Sequence, residues 1–150
     1  MAWRAITEDD ILQQLSGDEL AALREAALGD GQDDPVADQV DQVADLVRGY
    51  IAANVANTLG EAATIPERLI HSAVAILVVD INKRAGGLLI DPNDARADAR
   101  KEATRLLERV ADGKFSVEQP STAGDETEAS VSPAVDSPTR LFTDDNQDGI

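Results

Sequence analysis

The sequence contains no cysteine, a single histidine and very few aromatic residues. Without cysteine there is no disulfide framework, no zinc-thiolate site and no thiol chemistry, which suits a reducing compartment. Aromatic side chains make up only 3% of the 150 residues, so a core has to be built from Leu, Ile, Val and Ala. We therefore expect one domain of closely packed helices with a modest core.

Long hydrophobic runs are also missing. The longest apolar block, Ala73 to Val79, is about one third of the roughly 20 residues that span a membrane. The first residues, Met1 to Ile6, lack the apolar run of a secretory signal. We expect a soluble protein that is made inside the cell and does not contact membranes.

Negative charge dominates the chain, with a net charge of −16. This charge disfavours tight binding to nucleic acid, because affinity for nucleic acid comes largely from neutralising phosphates. Residues 1–45 carry 12 acidic and 2 basic side chains, residues 46–117 carry 9 and 10, and residues 118–150 carry 8 and 1. An acidic front, a mixed middle and an acidic tail give the chain a polarity that can set the direction of an assembly.

Capping patterns predict two short helices near the N-terminus. Thr7 precedes three acidic residues, which suit the positive end of a helix dipole. Ser16 followed by Glu19 is a capping-box pattern and opens the second short helix.

The first of three longer helices is predicted to begin at Asp34 and Pro35, an N-cap followed by a favoured first-turn residue. We expect it to extend to about Leu59. Its apolar residues recur every three or four positions and form one stripe. They are Val36, Val40, Val43, Val47, Tyr50, Ile51 and Val55.

The second longer helix is predicted to start at Pro66 and to end at Gly86 and Gly87. Its residues are apolar on nearly every side, so a buried strand is the alternative. About 19 residues without a turn signal are too many for a strand, which favours the helix. A helix that is apolar all round is normally central, with other helices packed about it.

The third longer helix is predicted to open at Asp91 and Pro92 and to close at Gly113, and a short β-strand is predicted over Lys114 to Val117. Its apolar stripe is Ala99, Ala103, Leu106, Leu107 and Val110. The predicted fold class is therefore all-α, a small bundle of three longer helices and two short N-terminal ones.

From Glu118 the composition becomes rich in Pro, Ser, Thr and acidic residues. We divide the chain into a helical domain, residues 1–117, and an acidic C-terminal tail, residues 118–150. The tail has too few apolar residues to offset its ordering entropy, so we expect it to be disordered or extended. It is either a dispensable solubilising tail or an anchor, with Arg140, Leu141 and Phe142 as the docking motif.

One acidic motif in the tail suggests calcium. Asp144, Asn146, Asp148 and Gly149 fit the opening of an EF-hand loop. The sequence stops at Ile150, before the twelfth loop position at which a bidentate glutamate is expected, so we do not expect a complete loop. We favour an acidic solvated terminus and predict no metal site.

His71 is the only histidine and follows Glu67 by one helical turn. No serine, cysteine or second base forms a nucleophile pair with it. A hydrolase that uses His71 and Asp80 is the least favoured function. We expect no enzyme activity, no catalytic residues and no cofactor.

Two charged stripes suggest a subunit contact. On the first long helix, Asp34, Asp38, Asp41 and Asp45 lie three or four residues apart, where like charges repel. A solvated face is the simpler interpretation. The alternative is that this face meets a basic stripe on the third long helix of a neighbouring copy, formed by Lys101, Arg105 and Arg109 at a spacing of four. The predicted subunit interface consists of Asp38, Asp41, Asp45, Arg48, Lys101, Arg105 and Arg109.

Five short motifs follow one another along the chain. They are Ile6-Thr7-Glu8-Asp9-Asp10-Ile11, Val47-Arg48-Gly49-Tyr50-Ile51, Ile65-Pro66-Glu67-Arg68-Leu69, the segment from Asp98 to Lys114 that covers the last helix and its exit, and Arg140-Leu141-Phe142-Thr143. Their order and spacing resemble the small helical head-tail connector, or head-completion, proteins of tailed bacteriophages, in particular the Mu-type joining proteins.

The resemblance implies a virion structural protein, assembled in the host bacterial cytoplasm. It implies a homo-oligomeric ring, commonly of twelve copies, beneath the portal. Such a ring extends the DNA channel, and DNA passes through it without specific binding. The implied partners are further copies of the chain, the portal protein and a tail terminator or stopper protein. The alternative function is a small intracellular helical adaptor or regulatory protein that binds one partner.

Overall fold

The computed structural model describes residues 2–121, which contain five helices and two very short strands. In chain order these are β1 Trp3–Arg4, α1 Glu8–Leu12, α2 Gly17–Ala27, α3 Pro35–Ala53, β2 Ile65–Pro66, α4 Glu67–Arg84 and α5 Ala95–Ala111. The predicted all-α bundle, with three longer helices and two short N-terminal ones, is confirmed.

Helix α4 is the centre of the bundle and contacts all four other helices. Every residue from Ala73 to Val79 is buried, so this helix has apolar neighbours on nearly all sides. Burying each large aliphatic side chain contributes about 1.5–3 kcal/mol, which makes α4 the main source of core stability. The predicted central position of this helix is confirmed.

The predicted helix starts at the N-terminal end of the chain are also confirmed. The Ser16 hydroxyl accepts a hydrogen bond from the Glu19 amide at 3.2 Å, and the Glu19 carboxylate accepts one from the Ser16 amide at 2.9 Å. Asp34 accepts from the Val36 amide at 2.9 Å, with Pro35 in the first turn of α3. These side chains satisfy amides that have no partner within the helix.

Helix α3 ends at Ala53, so its predicted extension to Leu59 is wrong. At this end the Ile51 carbonyl accepts hydrogen bonds from the Asn54 backbone amide and from the Asn57 side-chain amide, both at 3.2 Å. Val55, which the sequence placed in the apolar stripe, is 99% exposed.

Helix α5 begins at Ala95, so the predicted start at Asp91 and Pro92 is also wrong. The Asp94 amide donates to the Asp91 carbonyl at 2.9 Å, which closes a turn before the helix. The Asp94 carboxylate then accepts from the Arg96 amide at 2.9 Å and is the actual N-cap.

The residues after α5 form no strand within the described chain, and the predicted strand from Lys114 to Val117 is wrong. The amides of Lys114 and Phe115 both donate to the Arg109 carbonyl, at 2.8 and 3.1 Å. Gly113 has a φ of +73°, which turns the chain back over the end of the helix.

The strands that do form are β1 and β2, an antiparallel pair with Trp3 opposite Pro66 and Arg4 opposite Ile65. Trp3 covers the loop before β2. A Cβ atom added to Gly60 would lie 2.7 Å from the Trp3 ring, so only glycine fits beneath the indole.

Candidate interaction surfaces

The acidic side of α3 is exposed to solvent at Asp38, Asp41 and Asp45. Asp38 accepts a hydrogen bond from the Gln32 side-chain amide. Among the described residues, none of the three aspartates forms an ion pair. Their role in a subunit interface stays a prediction.

The three basic residues of the predicted stripe on α5 differ in their contacts. Lys101 pairs with Asp98, one turn earlier, at 2.9 Å. Arg105 and Arg109 are exposed, and within residues 2–121 neither has an ion-pair partner. Exposed glutamates lie between these basic residues, so the outer side of α5 is mixed in charge rather than uniformly basic.

Arg48, the remaining residue of the predicted interface, forms its hydrogen bonds inside the subunit. Its Nη1 donates to the carbonyls of Glu61 and Thr64, both at 2.8 Å, and its Nη2 donates to that of Gly60 at 3.2 Å. The guanidinium also lies 5.9 Å from the centre of the Trp3 ring. Arg48 therefore stabilises the loop over residues 60–64, and its predicted intersubunit contact stays untested.

The N-terminal segment is fixed to α1 by a two-point ion pair. Arg4 Nη1 and Nη2 each donate to one Asp10 oxygen at 2.8 Å, and the Thr7 amide and hydroxyl donate to the same carboxylate at 2.9 and 2.8 Å. The hydrogen bonds from Arg4, supported by those from Thr7, hold the pKa of Asp10 well below its usual range. The Asp10 hydrogen bond correspondingly raises the pKa of Arg4.

The beginning of the tail is attached to the bundle. The Trp3 indole donates to the Glu118 carbonyl at 2.7 Å. The Gln119 side chain accepts from the Thr58 amide at 2.9 Å and donates to the Asn57 side chain at 3.3 Å. These contacts continue past the predicted domain boundary and hold Gln119 close to the end of α3.

An apolar groove lies between α3 and α5, and the sequence alone did not reveal it. Its volume is about 550 Å³. It is lined by Asp45, Leu46, Gly49, Tyr50 and Ala53 of α3 and by Ala111 of α5. The available signal was a row of small residues beside Leu46 and Tyr50, which leaves a depression instead of a ridge.

The candidate catalytic residues do not come together. His71 is exposed, and its Nδ1 lies 3.4 Å from the Gln14 side-chain nitrogen. Asp80 pairs with Arg100 at 2.9 Å. On one helix, His71 and Asp80 are separated by about 13 Å along the axis at 1.5 Å per residue.

The part of the chain that the structure describes contains no group of three or more acidic, histidine or cysteine residues that could hold a metal ion. No helix in the same part is long and apolar enough to cross a bilayer. The EF-hand-like residues 144–149 and the predicted docking residues Arg140, Leu141 and Phe142 lie outside the described residues.

These features define a small all-α bundle with charged helix faces and an exposed apolar groove. The sequence model of the family described as Bacteriophage Mu, Gp36 matches residues 6–135, which is most of the chain. The protein belongs to this bacteriophage family. Comparisons with curated proteins and with solved structures gave no match.

Proposed function

We propose that this protein is a virion structural protein that connects the packaged head of a phage to its tail. Membership of the bacteriophage Mu Gp36 family over residues 6–135 is the observation that carries the proposal. The chain forms a ring, commonly of twelve copies, beneath the portal, and this ring extends the DNA channel. Its partners are its own copies, the portal protein and a tail terminator or stopper protein, and assembly takes place in the host cytoplasm.

The exposed helix faces support a role in assembly. Asp38, Asp41 and Asp45 present negative charge along α3, while Arg105 and Arg109 present positive charge on α5. A ring needs two different surfaces on each subunit that fit one another, and opposed charges can set their register. An exposed ion pair contributes only about 0.2–1 kcal/mol, so contacts of this kind have to be repeated around a ring to matter.

The overall charge supports a passive channel wall. With a net charge of −16, the protein repels phosphates instead of neutralising them, so DNA passes without specific binding. We assign no catalytic activity and no cofactor to the protein.

Native mass spectrometry and electron microscopy of the full chain, alone and with the portal protein, test the proposal. We expect closed rings that form on the portal, or at high protein concentration without it. A chain that stays monomeric at all concentrations and does not bind the portal would contradict the connector role. That result would favour a small helical adaptor with a single partner.

A further inference from the structure

The groove between α3 and α5 has an open, apolar floor. Leu46 is 43% exposed, and Tyr50 is only partly buried. A Cβ atom added to Gly49 would meet nothing within 4 Å apart from the local backbone of its own helix, so there is open space above this glycine. Asp45 stands at the margin and supplies a negative charge. The groove therefore suits a short segment that combines large apolar side chains with one cation.

The tail starts at the same end of the molecule as the groove. Gln119 is hydrogen bonded to Thr58 and Asn57, which follow α3 closely. The groove occupies the last turns of that helix, up to Ala53. The contacts of Gln119 thus hold the last described part of the chain near the end of α3 that borders the groove.

The tail contains one segment of the required chemistry. Arg140 is the only basic residue after Lys114, and Leu141 and Phe142 follow it directly. Phe142 is also the only aromatic residue after Phe115. We propose that Arg140-Leu141-Phe142 occupies the groove of its own chain in the free protein, with Leu141 and Phe142 on the apolar floor and Arg140 beside Asp45.

The length of the tail permits this contact. About 19 residues separate Ser121 from Arg140, and an extended chain of that length spans up to roughly 60 Å. From Asp45 to Ala53 the groove extends about 12 Å along α3, at 1.5 Å per residue. Tethering at this length gives an effective concentration on the order of millimolar, so a segment of modest affinity still docks.

Tyr50 is the only tyrosine of the chain, which gives the groove a unique spectroscopic probe. With 3-fluorotyrosine, the full chain yields one fluorine resonance at this site. We expect the double substitution L141A/F142A to shift that resonance towards its solvent-exposed value. The matched control, V131A/V135A, removes two other apolar side chains of the tail and should leave the resonance in place.

Blocking the groove provides an independent test of the proposal. Gly49→Phe places a large side chain at a position where a Cβ atom meets nothing within 4 Å outside its own helix, and in this background L141A/F142A should no longer move the Tyr50 resonance. Gly17→Phe is the matched control, because a Cβ atom at Gly17 also meets nothing within 4 Å but lies at the start of α2. In the control background the shift should persist.

A charge exchange tests the orientation of the segment. Arg140→Glu should lower the ratio of docked to free protein about two- to fivefold, the range expected for an exposed ion pair. Adding Asp45→Lys to that variant should restore the ratio.

A Tyr50 resonance that does not shift in L141A/F142A would overturn the proposal. A response that depends on protein concentration would also overturn it, because the occupant would then be a second copy.

Discussion

At the scale of single residues, Asp10 is nearly buried yet remains charged, with 7% of its surface exposed. Four hydrogen bonds from Arg4 and Thr7 compensate for the lost hydration of its carboxylate. Removing one partner of such a group costs more than the bond itself, since the other partner is left without its counter-charge. The protonation of Asp10 therefore links the stability of the fold to pH.

We expect the stability of the native protein to fall in acid through Asp10. Folding lowers the pKa of this carboxyl group, so its contribution is complete above the unfolded value of about 3.9. It is lost progressively as the pH drops below about 4 towards the lowered native value. Asp10→Asn should cost roughly 1.5–3 kcal/mol at neutral pH and flatten the acid limb. Urea unfolding at a series of pH values, with Asp33→Asn as an exposed control, measures both effects.

Gly60 is a second position at which the structure requires one particular residue. Gly60→Ala places a methyl group against the Trp3 ring, and we expect a loss of about 1–3 kcal/mol from overpacking. Trp3 is the only tryptophan, so its fluorescence reports both the unfolding transition and a displaced ring. Gly49→Ala is the control. It lies in open space on α3 and should stabilise the helix by about 0.5–1 kcal/mol. Equal stability of the two variants would mean that Trp3 does not close over Gly60.

At the scale of elements, α3 shows how far a pattern of residues determines structure. The N-cap Asp34 and the buried residues Val43, Val47 and Ile51 could be predicted, because capping and the 3.6-residue period are local properties. The end of the helix could not. There the Ile51 carbonyl accepts from the Asn54 amide and from the Asn57 side chain, and these contacts leave no trace in the hydrophobic period.

Arg48 connects α3 to the loop over residues 60–64, because its guanidinium nitrogens donate hydrogen bonds to three carbonyl groups of the loop. Arg48→Lys keeps the charge but cannot reach three carbonyls at once, so we expect a loss of about 1.5–3 kcal/mol. Amide hydrogen exchange should accelerate in residues 60–64 and in β2. Arg105→Lys, at an exposed position of α5, should change neither quantity. Unchanged protection of the loop in Arg48→Lys would show that the loop does not depend on the three hydrogen bonds from Arg48.

At the scale of the whole molecule, the bundle could be predicted because each long helix carries its own apolar pattern. The groove could not, since it is lined by Ala111 of α5 together with Leu46 and Tyr50 of α3, residues that are distant in sequence. The motif order pointed to a phage family, and the match over residues 6–135 places the chain in one. The charged faces were visible in the sequence, but the internal contacts of Arg48 were not.

The charged faces lead to a prediction about the ring that we propose. Reversing the acidic face of α3 with D41K/D45K should weaken oligomers in low salt, because the exposed aspartates would no longer attract Arg105 and Arg109 of a neighbour. The effect should shrink towards 1 M salt, where the screening length is about 3 Å. Native mass spectrometry measures the ring fraction, and thermal unfolding verifies that the subunit is intact.

The matched control is E25K/D33K, which changes the net charge equally but alters exposed acids outside α3. It separates a local contact from the general relief of repulsion in a chain of net charge −16, which should favour association in both variants. The complementary pair R105E/R109E should weaken rings, and combining it with D41K/D45K should restore them. If all variants form rings as the unmodified protein does, the subunit contact uses another surface, although ring formation itself would stand. If restoration occurs only in the combined variant, α3 of one copy meets α5 of the next.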